Sequence, residues 1–377
     1  MTNILKAPFP WFGGKSRVAH IAWPRLGCDV YNYVEPFFGS GAVLLGRPGG
    51  PGSIETVNDL DGYVANFWRA IQSDPEQVAH YADWPVNEND LHARHVWLVD
   101  RKDSLQSELE GDMDYFDPKI AGLWVWGICS WISGGWCSGK GPWWPDDQGR
   151  LVKESGRGQG VKRTLPHLFR GKGVNRQLPH LGRGGQGVNR QRPHLGTSGI
   201  GVKRQRPDLG GGRGVRRQRP HLGDAGQGVN RKTIDTIHWF HDLSDRLRRV
   251  RVCSGDWSRV CGPSPTTKLG ITAVFLDPPY ADTAKRCSDL YTQDSQTVAH
   301  EVRKWAIENG DNPKMRIALC GYEGEHVMPD DWVKVAWKAH GGYGAKAGIN
   351  SAKERIWFSP HCLQVEDDTI GQLDLTS

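Results

Sequence analysis

The stretch YVEPFFGSGAVLL at residues 33–45 decides the predicted fold of this chain. Its first residues are typical of a buried strand, the segment FGSG supplies a tight glycine turn, and AVLL begins a helix. Glycines at such a turn let the backbone approach a ligand closely, as in nucleotide-type sites at the carboxyl edge of α/β sheets. The stretch therefore predicts an α/β fold with a ligand site at this turn.

A second strand-like stretch ends in TVND at residues 56–59. Its acid, Asp59, lies roughly 20 residues beyond the turn, which is the usual place for a carboxylate that binds ribose hydroxyls. The loop PWFGGK at residues 10–15 adds a cation, Lys15, that suits a ligand carboxylate. The sequence thus supplies a carboxylate for a ribose and a cation for an acid group.

A third motif, DPPY at residues 277–280, follows the apolar run AVFL at residues 273–276, which predicts another buried strand. A carboxylate, two rigid prolines and an aromatic ring at a strand's end suit the binding of an exocyclic amino group on a planar base. The Asp277 carboxylate and the Pro278 carbonyl can accept the two N–H bonds of that amine, while Tyr280 stacks on the base. The tetrapeptide is also compatible with an ordinary turn at the end of a strand.

Five pieces of this chain, in this order, resemble the DNA adenine methylase (Dam-type) family, which uses S-adenosyl-L-methionine. They are WFGGK at 11–15, VEPFFGSG at 34–41, VND at 57–59, GDW at 255–257 and DPPY at 277–280. The resemblance covers roughly residues 7–72 and 240–360, and the region between has no close match. It implies a class I α/β methyltransferase with a Rossmann-like, mostly parallel sheet.

The resemblance also implies a role for each matching residue. Trp11 and Lys15 would lie at the methionine end of the cofactor, Asp59 at its ribose and Asp256 beside its adenine ring. The remaining cofactor-binding residues would wrap the methionine and the ribose: Glu35, Pro36, Phe37, Gly39 and Gly41. The catalytic residues would be those that hold the target adenine: Asp277, Pro278, Pro279 and Tyr280.

The chain carries a net charge of +6, but one segment holds the whole basic excess. Residues 156–232 contain 18 Lys and Arg against two acids, a net +16, so the remainder carries −10. The segment is a tandem repeat of 13 or 14 residues with the unit GVxRxxPHL. Since it is rich in glycine and poor in apolar residues, we expect a flexible arm or a stack of turns. One arginine recurs in every unit and is expected to contact DNA phosphates: Arg163, Arg176, Arg190, Arg204, Arg217 and Arg231.

The segment before the repeat is rich in tryptophan and glycine. Trp124, Trp126 and Trp131 fall at helical spacing and are expected in the core, whereas the loop at 133–141 places Lys140 among glycines and aromatics. Such a loop suits either base stacking, with Lys140 binding nucleic acid, or a plain structural role. The predicted domains are a catalytic domain at 1–83 and 233–377, a mainly helical recognition module at 84–155, and the repeat insert at 156–232.

Composition excludes several other classes. The sequence contains no apolar run of 18 residues and no charged-then-apolar leader, which argues against a membrane or secreted protein. Eight cysteines without a CxxC pair favour reduced thiols in the cytoplasm, and no zinc motif is present. No metal is expected, because methyl transfer from a sulfonium needs no Lewis acid.

The sequence predicts a site-specific enzyme that methylates the N6 amino group of adenine in double-stranded DNA after flipping the base out. One alternative is transfer to cytosine N4. Another is a non-catalytic nucleic-acid-binding protein that acts through the basic repeat, although intact Lys15, Asp59 and Asp277 argue against it. A role in restriction-modification, with a cognate nuclease as partner, is compatible with the sequence.

Overall fold

The computed structural model describes residues 5–11, 15, 17–131, 135–138, 143–145, 151–153, 236–279, 297–337 and 354–365. For residues 143–145 and 151–153 only the backbone is described. Across these ranges, no helix is long and apolar enough to cross a membrane.

A seven-stranded sheet forms the centre of the molecule. Its strands are β1 (Asn32–Glu35), β2 (Ile54–Asp59), β5 (Val250–Ser254), β6 (Thr272–Leu276), β7 (Met315–Tyr322), β8 (Val333–Ala336) and β9 (Glu354–Phe358). They lie in the order β5-β2-β1-β6-β7-β9-β8. Only β9 runs antiparallel to its neighbours, β7 and β8, so the sheet is mixed and mostly parallel. A separate hairpin joins β3 (Trp143–Pro145) and β4 (Leu151–Lys153).

Nine α-helices accompany the strands in the described part of the chain. They are α1 (Ala19–Leu26), α2 (Ala42–Leu45), α3 (Gly62–Ser73), α4 (Pro75–Ala82), α5 (Glu88–Val99), α6 (Lys102–Gly111), α7 (Pro118–Ser130), α8 (Thr236–Leu247) and α9 (Val298–Gly310). Two short 3-10 turns follow β5, at Trp257–Val260 and Thr267–Leu269.

The central strands are buried on both faces, as expected when helices cover a parallel sheet. Every residue of β1 and β6 is buried. Tyr33 and Phe275 pack into the larger apolar cluster with α1, α3 and α7, whereas Val34 and Val274 pack into the smaller one with α9. This alternation confirms the predicted α/β class and agrees with a class I methyltransferase.

The helices after residue 84 pack onto the sheet-covering helices rather than apart from them. In α7, Trp124 and Trp126 are buried, as predicted, and Gly122 lies so close to Tyr81 of α4 that a Cβ there would be 2.4 Å from the Tyr81 Cβ. After residue 84 the chain forms two successive helices, because α5 ends at Val99 and α6 begins at Lys102.

A buried ion cluster ties the second half of the chain to the first. Arg246 of α8 donates to both carboxylate oxygens of Glu55 in β2, at 2.7 and 3.0 Å, and to the Leu44 carbonyl at 3.0 Å. Arg47 donates to the same carboxylate at 3.1 Å. Because two guanidinium groups bind the Glu55 carboxylate, they offset the free-energy cost of burying its charge.

The sheet order places a ligand cleft at a defined point. From β1 the chain continues to β2 on one side, whereas from β6 it continues to β7 on the other. The carboxyl ends of β1 and β6 therefore flank a topological switch point, where open α/β sheets bind ligands.

Candidate active site

A cleft of about 780 Å³, measured out to open solvent, lies at this switch point. The lining residues come from the loops that follow β1, β2, β5 and β6: Pro36, Phe37, Gly39, Asn58, Asp59, Leu60, Asp61, Gly255, Asp256, Trp257, Asp277 and Pro279, with Trp11 and Val298.

The glycine turn after β1 has a backbone that only glycine adopts easily. Gly39 has φ +47° and Gly41 has φ +63°. A Cβ at Gly39 would lie 2.4 Å from Trp11 Nε1, so the turn and the Trp11 ring are in close contact. The Gly39 carbonyl accepts a hydrogen bond from the buried Trp68 indole at 2.9 Å. The backbone is thereby fixed at the cleft wall, as a closely approaching ligand requires.

Asp59, the last residue of β2, is part of the cleft wall. Its Oδ2 accepts the Gly39 N–H at 2.8 Å, and its Oδ1 accepts the Asp61 N–H at 2.9 Å. Burial, reinforced by the nearby Asp61 charge, raises the pKa of Asp59 to about 7. Each carboxylate oxygen has a second acceptor position, so Asp59 can still accept hydrogen bonds from ligand hydroxyls.

Asn58 connects the loops on either side of β2. Its Nδ2 donates to the Pro36 carbonyl at 3.1 Å and to the Gly255 carbonyl at 2.9 Å. Its Oδ1 is buried and has no hydrogen-bond partner among the described residues. A buried acceptor without a partner costs free energy.

Aromatic rings form the side of the cleft beyond β5. Phe37 and Trp257 stack with a centroid separation of 6.4 Å and an interplanar angle of 27°, and Trp305 of α9 meets Trp257 edge-on. Asp256 caps the 3-10 turn by accepting the Ser258 N–H at 3.0 Å. This wall offers planar apolar surface next to a polar loop, which suits a heteroaromatic ring.

Asp277 directly follows β6 and also lines the cleft. Its side chain is 21 % exposed, and its Oδ1 lies 3.1 Å from the Lys15 Nζ, which is 6 % exposed. Burial raises the pKa of Asp277, and the charge of Lys15 opposes that rise. The contact of Lys15 is therefore with the DPPY motif, and Lys15 does not line the cleft.

Two more of the predicted cofactor residues lie behind the cleft wall. Glu35 is 3 % exposed and accepts the Tyr33 hydroxyl at 2.8 Å, and burial raises the pKa of Glu35 to about 8. Gly41 packs under the Phe38 ring and begins α2. Both shape the turn from inside the fold, whereas Trp11, Pro36, Phe37, Gly39, Asp59 and Asp256 reach the cleft.

Several predicted site residues lie outside the described ranges. They are Tyr280, Lys140 and the six repeat arginines Arg163, Arg176, Arg190, Arg204, Arg217 and Arg231. Pro278 and Pro279 are described, and Pro279 lines the cleft.

Sequence reasoning missed part of the cleft wall. Asn58 and Trp257 belong to the VND and GDW motifs, so their position next to predicted site residues could have identified them. Asp61 also carried a signal, since an acid before a helix is typical of an N-cap, and it accepts the Tyr63 N–H at 2.9 Å. Glu354, 3.9 Å from Lys15, had no signal, because nothing in the sequence relates residues so far apart.

The cleft fits a nucleoside-bearing ligand. A fixed glycine turn, a carboxylate at the end of β2 and an aromatic wall at β5 together match the ribose and ring of such a ligand. With Asp277 and Pro279 in the same lining, the fold and the cleft agree with an S-adenosylmethionine-dependent methyltransferase of class I architecture.

Comparison with known proteins indicates which kind of methyltransferase the chain resembles. Residues 11–112 match the family model described as D12 class N6 adenine-specific DNA methyltransferase. Over these residues the chain is similar to this family, which supports S-adenosylmethionine-dependent N6-adenine methylation of DNA as its activity. No curated protein matches the chain.

Proposed function

We propose that the protein acts on double-stranded DNA and methylates an adenine that has been rotated out of the helix into the space beside Asp277. The observation that carries this proposal is that Asp277 and Asp59 line the same cleft. A base inside a duplex is not accessible to such a cleft, so the target must leave the stack.

In this proposal Asp277 and the Pro278 carbonyl accept the two N–H bonds of the target amine. The adenine N6 lone pair is delocalised into the ring, and two acceptors favour the tetrahedral form in which it can attack. The bound S-adenosylmethionine supplies a methyl group on a positively charged sulfur. Alignment of the amine and the electrostatic stabilisation of charge at nitrogen provide most of the acceleration.

The cofactor residues are assigned by their place along the cleft. Gly39 and Trp11 adjoin the methionine part, Asp59 accepts the ribose hydroxyls, and Asp256 with Phe37 borders the adenine ring. Support comes from the fixed turn at Gly39 and the remaining acceptor positions of Asp59. A contact of Lys15 with the methionine carboxylate stays a prediction, since its described contacts are with other groups.

The recognition of DNA is assigned to residues 84–155, with the repeat at 156–232 as a phosphate-binding arm. The helices α5 to α7 lie in the chain between the cleft residues up to Asp61 and those from Gly255 onward. Their packing on α3 and α4 gives them a firm base from which to position a loop near the target base.

The test is the Asp277→Asn variant with Asp311→Asn as a control on an exposed residue after α9. The substrates are plasmid DNA from a methylase-deficient host and S-adenosylmethionine with a tritiated methyl group. We expect Asp277→Asn to lose at least 99 % of methyl transfer, about 2.7 kcal/mol in the barrier, with cofactor affinity within a few-fold. Retention of a tenth of the activity would refute the role of Asp277.

The identity of the product base tests the reaction itself. Enzymatic digestion of the methylated plasmid and mass spectrometry of the nucleosides should yield N6-methyladenine. N4-methylcytosine would favour the alternative reaction, transfer to the N4 amino group of cytosine. Cofactor binding without any methylated base would favour a non-catalytic DNA-binding protein.

A further inference from the structure

Glu354 lies beside the carboxyl ends of the parallel strands, where the cleft is located. It is the first residue of β9 and pairs with Tyr322, the last residue of β7. Because β9 is antiparallel to β7, its amino end lies beside the carboxyl ends of the parallel strands. The Glu354 side chain is 5 % exposed, so a carboxylate without an assigned role is buried two strands away from β6.

Glu354 and Asp277 share the same ammonium group. The Lys15 Nζ lies 3.1 Å from Asp277 Oδ1 and 3.9 Å from Glu354 Oε2. The Trp337 ring, at the end of β8, lies 5.3 Å from the same Nζ. Lys15 is thus contacted by the residue that follows β6, the residue that follows β8 and the first residue of β9.

A single carboxylate does not fix a lysine side chain well. Its four-carbon stem loses rotamer entropy when it is held in one geometry. A second carboxylate on another strand restrains the ammonium from the far side and balances its charge. With Lys15 held at Oδ1, the other oxygen of Asp277, Oδ2, stays available as an acceptor.

We infer that Glu354 is a positioning residue for methyl transfer: it holds the Lys15 ammonium against Oδ1 of Asp277, which orients Oδ2 toward the target amine. This inference rests on the proposed role of Asp277. The buried Glu354 carboxylate then has a function besides stability, and the amino end of β9 is part of the active site.

The charged surroundings of Asp277 define what each substitution does. Among the described residues, the titratable groups that interact with Asp277 are Lys15, Glu35 on β1, and Cys320 and Tyr322 on β7, and Glu354 on β9 adjoins Lys15. Removal of the Glu354 charge favours ionised Asp277, whereas removal of the Lys15 charge disfavours it. The acid limb of the rate profile should therefore shift to lower pH in Glu354→Gln and to higher pH in Lys15→Met.

The experiment is a double-mutant cycle with Glu354→Gln, Lys15→Met and the combined variant. The matched control is Glu323→Gln, an exposed carboxylate that pairs with Lys334 and with Arg355, the neighbour of Glu354. Single-turnover methyl transfer to plasmid DNA is measured across pH at saturating S-adenosylmethionine. Cofactor affinity is measured by calorimetry and stability by urea unfolding.

We expect the plateau rate of Glu354→Gln to fall at least tenfold, with cofactor affinity within threefold and the control within twofold of the wild type. The combined variant should be no slower than Lys15→Met alone, because Glu354 acts through Lys15. Additive losses, or an unshifted acid limb in Glu354→Gln, would overturn the inference.

Two further results separate the remaining possibilities. If Lys15→Met weakens cofactor binding tenfold but keeps the plateau rate, Lys15 serves the cofactor carboxylate and the positioning role is wrong. Should Glu354→Gln not fold, Glu354→Asp keeps the charge but withdraws it from Lys15, and a wild-type plateau rate would then refute the inference. An inactive Asp277→Asn beside a fully active Glu354→Gln refutes only this inference, whereas an active Asp277→Asn refutes the proposed function.

Discussion

The Gly39 backbone N–H donates to the Asp59 carboxylate at 2.8 Å, which joins the turn after β1 to the end of β2. A charge-assisted hydrogen bond of this kind is about twice as strong as a neutral one. Asp59 therefore has two tasks, because it fixes the glycine turn and also presents acceptor positions to the cleft. A substitution at Asp59 affects both.

Replacement of Asp59 by alanine should weaken S-adenosylmethionine binding by about 1.5–3 kcal/mol, the cost of losing a hydrogen bond to a charged group. Calorimetry measures the affinity directly, with Asp311→Ala as the control. Unchanged affinity in Asp59→Ala would move the ribose site elsewhere in the cleft.

The Gly39→Ala variant should lose cofactor binding more severely than stability. An alanine Cβ would lie 2.4 Å from Trp11 Nε1 and would sit at φ +47°. The comparison is Gly49→Ala, at φ +77° with nothing within 4 Å of the added Cβ, which carries the backbone strain without the contact. Equal cofactor affinity in the two variants would show that the contact with Trp11 does not matter.

Glu35 should make the protein less stable as the pH rises. Its folded-state pKa of about 8 lies above the ordinary glutamate pKa of 4.5, so the folded state retains a proton that the unfolded chain releases. The stabilisation is complete below about pH 4.5 and is lost as the pH rises through about 8, with a slope of up to about 1.4 kcal/mol per pH unit.

Urea unfolding of wild type and Glu35→Gln at pH 5, 6, 7 and 8 tests this, since glutamine keeps an acceptor for the Tyr33 hydroxyl and cannot ionise. The difference between the two proteins should move in favour of Glu35→Gln with increasing pH. A constant difference would contradict a raised pKa. Glu308→Gln, an exposed carboxylate on α9, should follow the wild type.

Replacement of Glu55 by glutamine should cost about 3–5 kcal/mol of unfolding free energy, because Arg47 and Arg246 would be left without their buried counter-charge. The exposed pair of Lys304 and Glu308 gives the reference, and Glu308→Gln should change stability by less than about 1 kcal/mol. Similar losses of unfolding free energy in the two variants would mean that the Glu55 ion cluster contributes little to stability.

Removal of residues 156–232, with Ser155 joined to Thr233, should flatten the salt dependence of DNA binding. If the six repeat arginines each neutralise one phosphate, they contribute roughly −5 to the slope of log affinity against log salt. Filter binding over a range of salt concentrations measures the slope, and sequencing of methylated DNA reports the target context. An unchanged slope would leave the repeat without a role in DNA binding, and a changed target context would make it a sequence reader.

The sequence predicted what local patterns encode. The strands that end at Glu35, Asp59 and Leu276 were predicted because apolar runs before glycine, acid or proline are typical of buried parallel strands. Helix α8 buries Phe240, Leu243 and Leu247, whose helical spacing is visible in the sequence. Strand β8 was not predicted, since an exposed edge strand such as Val333–Ala336 has a weak apolar pattern.

The contacts within the site were less predictable, because they depend on side-chain direction in three dimensions. Lys15 was expected at the cofactor, yet it lies against Asp277 at 3.1 Å, with Glu354 on its other side. Sequence spacing carries no information on a contact between residues so distant along the chain. The two acids at the end of β2 were equally ambiguous, since Asp59 and Asp61 both line the cleft.

The strand order also has a consequence for how the protein is made. Strands β1 and β2 fill the gap between β5 and β6, so the later half of the chain holds two strands about 14 Å apart, three spacings of about 4.8 Å, until the earlier half fills the space. Neither half of a polypeptide severed between α7 and α8 contains a complete sheet. Two such fragments should be unable to fold separately but should reassemble when produced together. On the ribosome, likewise, the catalytic cleft cannot form before α8 and the strands that follow it have been synthesised.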